Sequence, residues 1–322
     1  MFFRIRPFFM PNLLLTARPF SQRNPFDPEA IAPSIPEDQP NDPIYFEKGD
    51  TREIGKKLSA KIYKKIAVMT GSGISVKAGI HDFRTPTTGL YAQIEDPDLP
   101  FPEAIFDLNY FKLDPEPFYR ISPNLITTNK IPTLTHYFLK LLEDQGILLM
   151  CYTQNIDSLE KKAGLSSKKL VQAHGNVDHS HCTSCKKDYP ISELRQHMLS
   201  KQPAFCECGG TIKPDIVFFG EKLPQEFHSK SELILYADLL LIIGTSLTAY
   251  PFASLAQMVS PNTPRIVINK GGYNAFAQNG FKFDSEMKRD IFFDGDCDEI
   301  ISDIVKDTQW DDSLKKLVER KN

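Results

Sequence analysis

The sequence predicts an α/β fold, a parallel sheet with helices on both faces, carrying one small inserted metal-binding lobe. Two observations predict it: apolar runs of strand length alternate with amphipathic helical patterns, and four of the six cysteines fall in one 27-residue window. A chain of 322 residues accommodates about two domains of roughly 150 residues, with interior enough for a large core. The 38 basic and 41 acidic residues give a net charge of -3. That balance lacks the basic field of non-specific nucleic-acid binding, so no direct nucleic-acid partner is expected.

The first 26 residues, MFFRIRPFFMPNLLLTARPFSQRNPF, hold four arginines and no acid, after which the composition turns acidic. An Arg-rich, acid-free start resembles a mitochondrial transit peptide. The alternative is a disordered extension over residues 1–43, because nine prolines between Pro7 and Pro43 would break a long amphipathic helix. No apolar run approaches the roughly 20 residues that cross a bilayer, so no membrane partner is expected.

From residue 44 the alternation sets in. A helical pattern, TREIGKKLSAKIYKK, leads into the strand run KKIAVMT and then Gly71-Ser72-Gly73-Ile74-Ser75. Glycines after a strand let a backbone approach a phosphate at a helix start. The dehydrogenase fingerprint G-x-G-x-x-G nevertheless fails, because Val76 holds the third glycine position and no clear acid follows a second strand. A tight turn without ligand explains the motif equally well. The next stretch, Gly79 to Tyr91, joins Asp82, Phe83 and Arg84 in a loop rich in Thr, Pro and Gly. Such a loop is suited to closing over a ligand, or is an ordinary surface loop.

Further strand runs end in polar clusters: GILLMCYT before QNID, DLLLIIG before TSL, and PRIVIN before KGG, with the helical TLTHYFLKLLEDQG ahead of the first. In a parallel sheet these carboxyl ends are where ligands bind. Within KLVQAHGNVDHSHCTSC, three histidines, His174, His179 and His181, stand close to two cysteines. Cys182-x-x-Cys185 and Cys206-x-Cys208 supply four thiolates able to enclose one structural zinc tetrahedrally. A metal-free cluster of reduced thiols is the alternative. The one-residue spacer of the second knuckle keeps His181 as a substitute ligand. Between the knuckles too few apolar residues occur for a core, so the metal is expected to serve as one for an inserted lobe, residues 176–213. A zinc-knuckle nucleic-acid binder competes with this reading, but the position between strands of an α/β domain favours a structural insert.

The motifs GSGIS (71–75), DFR (82–84), TQNID (153–157), AHG (173–175), the paired cysteines, KPDIVFFGE (213–221), GTSL (244–247) and INK (268–270) together resemble the sirtuins, NAD-dependent protein-lysine deacylases. The likeness spans roughly residues 44–310. PEAIF, PEPF and PFASL look nearest to the nuclear and cytosolic deacetylase branch, against which the mitochondrial alternative from the N-terminus stands. The resemblance implies a Rossmann-like catalytic domain over 44–322, a zinc lobe, and a cleft for NAD and acetylated protein lysines, histone or non-histone. Gly71, Ser72, Gly73, Ile74 and Ser75 would surround the pyrophosphate, with Gly79, Asp82, Phe83 and Arg84 in the cofactor loop. Gln154, Asn155, Ile156 and Asp157 would hold the ribose and nicotinamide; Gly244, Thr245, Ser246, Asn269, Lys270 and Cys297 would line the adenosine half.

His174 would be the general base, with Asn155 and Asp157 orienting the ribose and carboxamide; an imidazole near its ordinary pKa of about 6.5 suits that task. Val217, Phe218, Phe219 and Gly220 would pair with a substrate peptide as an added strand, the aromatic pair walling a tunnel for the acyl-lysine. Mono-ADP-ribosyl transfer would use the same site. Three positions depart from the family pattern: Ser72 for alanine, His81 for proline, and the short second knuckle. No Tyr-x-x-Arg pair of the kind that binds acidic acyl groups occurs, so neutral acyl groups, acetyl first, are expected.

Overall fold

The computed structural model describes residues 45–80, 89–94, 99–126, 129–284, 286, 288–306 and 308–319, all within one unit, Ile35–Asn322. The strand runs form where the sequence places them. β1 (Ile66–Thr70), β2 (Leu148–Thr153), β3 (Leu170–Gln172), β7 (Leu239–Ile243), β8 (Arg265–Asn269) and β9 (Asp290–Asp294) make one six-stranded sheet. Every pairing in it is parallel, in the order β3-β2-β1-β7-β8-β9. Counted within this sheet, that is the 3-2-1-4-5-6 order of the doubly wound Rossmann fold. β4 (Gly175–Cys182), β5 (Asp188–Tyr189) and β6 (Ile212–Ile216) form a separate antiparallel sheet inserted between β3 and β7.

All five residues of β1 and of β7 are buried, because helices cover both faces. Ile66 and Val68 pack into one core with Ile54 and Leu58 of the helix Thr51–Ser59, and with the helices Leu134–Asp144, Cys297–Val305 and Trp310–Glu319. Ala67 and Met69, on the opposite face, join Phe227, Phe252, Leu255 and Phe276. The period of two along the strand thus feeds two cores.

A third core departs from expectation. Leu194 and Met198 of the helix Ile191–Ser200 pack against Ile105, Phe106, Phe111, Phe118 and Tyr119 from the helical stretch 102–125, and against Phe218. The cysteine lobe therefore does not rely on a metal alone; a stretch far away in sequence brings it an aromatic core.

Candidate active site

The sheet order reverses between β1 and β7, and a crevice opens at the carboxyl ends of such a pair. There the turn after β1 lies directly on the turn after β7. The Gly73 N–H donates to the Gly244 carbonyl over 2.8 Å. A Cβ on Gly73 would come within 2.6 Å of Gly244 Cα, and one on Gly71 within 2.7 Å of Thr245 Cβ. Packing of backbone on backbone is thus sufficient reason for both glycines, and it leaves a cradle without side chains. Ile74 points into the first core. Ser72 starts the 3-10 helix Ser72–Ala78, which Gly79 closes with a left-handed φ of 72°. Asp82, Phe83 and Arg84, like His81, lie outside the described residues.

The turn after β2 supplies the polar floor. Gln154 Nε2 donates to Thr245 Oγ1 over 2.9 Å, tying β2 to the β7 turn. Asn155 Nδ2 donates to the Gly71 carbonyl at 3.2 Å and to Ser75 Oγ at 3.3 Å. Ser75 Oγ donates in turn to Asp157 Oδ2 over 2.7 Å, and the Leu159 N–H donates to Asp157 Oδ1. Asn155 and Asp157 are each only 5 % exposed. Burial outweighs the donors and raises the Asp157 carboxyl above its ordinary value. Ile156, between them, packs into the third core.

His174 follows β3 and precedes β4. Its Nδ1 lies 3.1 Å from the Gln154 carbonyl, which only accepts, so Nδ1 carries the hydrogen and Nε2 the lone pair of a neutral ring. Gly175 makes the bend with φ 72°, and a Cβ there would meet the Asp215 carbonyl at 1.8 Å. The His174 carbonyl accepts from the Val217 N–H over 2.9 Å, so β6 and its extension run beside the histidine.

That extension, Val217 to Gly220, is already paired in part. The Phe219 N–H donates to the Phe106 carbonyl, and the Phe219 carbonyl accepts from the Leu108 N–H. Phe219 is 50 % exposed, whereas Phe218 is buried among Phe106, Phe111 and Phe118. Phe218 therefore stands in a core rather than in a tunnel wall. The sheet's alternation sends the two rings to opposite sides.

On the β8 side, Thr245 is buried, while Ser246 and Lys270 are exposed. Asn269 Nδ2 donates to the Gly271 carbonyl over 3.0 Å. Cys297 opens the helix Cys297–Val305 with its side chain in the first core, where burial pushes the thiol up to about 12.

The four cysteine sulfurs converge, all within 4.8 Å of one another. Cys182 Sγ and Cys208 Sγ are 3.5 Å apart, and Cys185 Sγ and Cys206 Sγ 3.6 Å. Four sulfurs at 2.3 Å around tetrahedral zinc stand about 3.8 Å apart, so the set fits one zinc ion. The Cys208 N–H, helped by the Tyr189 hydroxyl, lowers the Cys206 thiol to about 6, while, despite the Lys187 N–H, its thiol neighbours raise Cys185 to about 11. His181 is no substitute ligand: its Nδ1 is 2.5 Å from Asp215 Oδ1, and along β4 it faces away from Cys182. His179 is exposed.

Sequence reasoning missed Glu160, His136 and the pair Lys213–Glu221. Glu160 is fully buried behind Asp157 although Lys161 and Lys162 follow it, a pattern that reads as a solvent face. Lys213 Nζ lies 3.1 Å from Glu221 Oε2 and is 1 % exposed.

The Sir2 family model matches residues 71–251, more than half of the chain. The NAD-dependent deacetylase sir2A of Dictyostelium discoideum is 44 % identical over 298 residues, covering 90 % of this chain and 58 % of that protein. The NAD-dependent protein deacetylase sirtuin-2 of Danio rerio is 43 % identical, covering 82 % of this chain and 73 % of its own length. The NAD-dependent protein deacetylase hst2 of Schizosaccharomyces pombe is also 43 % identical, over 80 % and 75 %. With the reversed parallel sheet, the cradle at its switch point and the four converging thiols, these matches establish that the chain belongs to the Sir2 family, the sirtuins.

Proposed function

We propose that residues 44–322 form a catalytic domain, with residues 176–213 as its zinc lobe, that removes acetyl and other neutral acyl groups from protein lysines at the expense of NAD. Nicotinamide and O-acetyl-ADP-ribose are the products. One observation supports this most: Gln154 holds the His174 ring while Val217 holds its backbone. The histidine thereby joins the polar floor to the peptide-pairing segment. NAD, when bound, supplies an electrophilic anomeric carbon and a leaving nicotinamide.

The chain's residues do the rest. Gly71 and Gly73 leave room for the pyrophosphate, Thr245, Ser246, Asn269 and Lys270 surround the adenosine half, and Asp82, Phe83 and Arg84 are assigned to NAD binding as well. Asn155 and Asp157, locked through Ser75, orient the ribose and carboxamide. His174 Nε2 takes a proton from a ribose hydroxyl. Val217, Phe219 and Gly220 contact the peptide; because the Val217 N–H and both main-chain groups of Phe219 are bonded within the protein, pairing falls to the Gly220 main chain, and histone or non-histone proteins are equally admissible because main-chain pairing selects weakly. Among the described residues no helix is long and apolar enough to cross a membrane. Imaging the chain with and without residues 1–43 assigns the compartment, cytoplasmic and nuclear or mitochondrial.

Incubating the protein with NAD and an acetylated peptide tests the reading. Deacetylated peptide with acetyl-ADP-ribose is expected, and His174→Ala should lower kcat by about 100-fold or more. Transfer of label from NAD to protein with no loss of acetyl would overturn it.

A further inference from the structure

Behind the cleft floor lies a polar cluster of which the proposed reaction uses only Asp157. His136, Asp157 and Glu160 are buried, and one ligating atom from each lies within 4.8 Å of the other two. Both Glu160 oxygens and His136 Nε2 lack a hydrogen-bond partner among the described residues. Buried polar atoms without partners call for an explanation.

A metal is one candidate, and the helix cap argues against it. The Thr133 N–H donates to His136 Nδ1 over 3.1 Å, and Thr133 Oγ1, a hydroxyl able to donate as well, lies 2.8 Å from the same nitrogen. Nδ1 therefore offers its lone pair, and a neutral ring carries its hydrogen on Nε2. Burial pushes this imidazole down to about 3, so it stays neutral. His136 thus places a donor, not a ligand atom, beside the two carboxyls.

The carboxyls differ in their own donors. Asp157 accepts from Ser75 Oγ and from the Leu159 N–H at hydrogen-bond distance, whereas the Thr153 hydroxyl and the backbone N–H that face Glu160 stand short of a full hydrogen bond. Two buried carboxyls this close do not both ionise, and donors favour the ionised form of the one they reach. The charge settles on Asp157 and the proton on Glu160. Burial, and then repulsion from Asp157, push the Glu160 carboxyl up to about 8, which the Thr153 hydroxyl and Lys161 offset only in part. The other titratable neighbours are Lys162, which favours Asp157 ionisation, and Cys151 on β2, whose thiol burial keeps protonated.

We propose that Glu160, in its protonated form, and His136 are positioning residues that keep Asp157 ionised and oriented toward the cleft, by donation bridged by one water. The proton stays where it is during turnover. This rests on the reading that Asp157 orients the ribose. Above the point where Glu160 ionises, a second buried charge would repel Asp157 and disturb Ser75 and Asn155 with it.

The test compares wild type with Glu160→Leu and Glu160→Gln. Glu160→Leu should lower kcat about tenfold at pH 7 while changing the peptide KM little, and Glu160→Gln, which restores a neutral donor, should recover most of that loss. Wild-type kcat should fall above pH 8, and Glu160→Gln should lack that alkaline limb. Infrared difference spectra of wild type against Glu160→Gln should show a protonated-carboxyl band at pH 7 that disappears as pH rises through 8. An unchanged alkaline limb in Glu160→Gln, or no such band, overturns the proposal. If wild type shows no NAD-dependent deacetylation, it is the proposed function that fails; the infrared band needs no turnover and still decides where the proton sits.

Discussion

At Gly73 two turns touch backbone to backbone, and neither can retreat without moving a strand of the central sheet. A methyl group there has to push Gly244 away from β1. Overpacking of this kind costs about 1–3 kcal/mol, so Gly73→Ala should lower the thermal midpoint and weaken NAD binding measured by calorimetry. Ser72 is half-buried, and Ser72→Ala should change stability by less than about 0.5 kcal/mol. Equal stability of the two variants would mean that the turns are less tightly joined than they stand. Single residues differ in how far their roles show in sequence. His174, the proposed base, and the cysteines, the proposed zinc ligands, stand in short motifs, so they are readable. Glu160 is an acid among lysines and His136 a histidine in an apolar helix; only the fold brings them together. Phe218 and Phe219 are adjacent and identical in type, and which one is buried depends on the strand's orientation to a core that is distant in sequence.

Among elements, the longest apolar runs give the central strands, since burial on both faces demands uninterrupted hydrophobic residues. β3 has three residues and β9 begins and ends in aspartate, so neither signals itself in that way. β6 is the informative case. Lys213 Nζ donates to the carbonyls of Pro214 and Ile216 and pairs with Glu221, whose Oε2 also accepts from the Phe218 N–H. One buried ammonium thus fixes the bend that presents Val217 to Gly220. Lys213→Met leaves two carbonyls without this donor and Glu221 with the Phe218 N–H but no cation, at a cost of about 3–5 kcal/mol by the usual behaviour of broken buried pairs. The peptide KM should rise while the NAD KM changes little, because the damage lies on the peptide side. Lys213→Met/Glu221→Gln should recover part of the stability in urea titration, since it removes the unpaired charge. A double variant no more stable than Lys213→Met would assign the lysine's worth to its carbonyl contacts instead.

For the whole molecule, the third core decides what removal of zinc does. Were the metal the only centre of the lobe, chelation would release β4–β6 alone. The lobe's Leu194, Met198 and Ile212 pack with Phe218, Phe106, Phe111, Phe118 and Tyr119, however, and the Tyr119 hydroxyl donates to the Ile212 carbonyl over 2.6 Å. Loss of the thiolate cross-link frees the ends of β4 and of the Cys206 turn, so the shared core loses one wall. Hydrogen exchange after chelation should therefore accelerate over residues 175–218 and over the helices Leu108–Leu113 and Glu116–Ile121 together. β1, β7 and β8, whose cores contain none of these residues, should keep their protection. Deacetylation should fall with the lobe, because the segment proposed to hold the peptide continues directly from β6, and added zinc should restore both. Faster exchange confined to residues 182–208 would show that the aromatic core holds the lobe together without the metal.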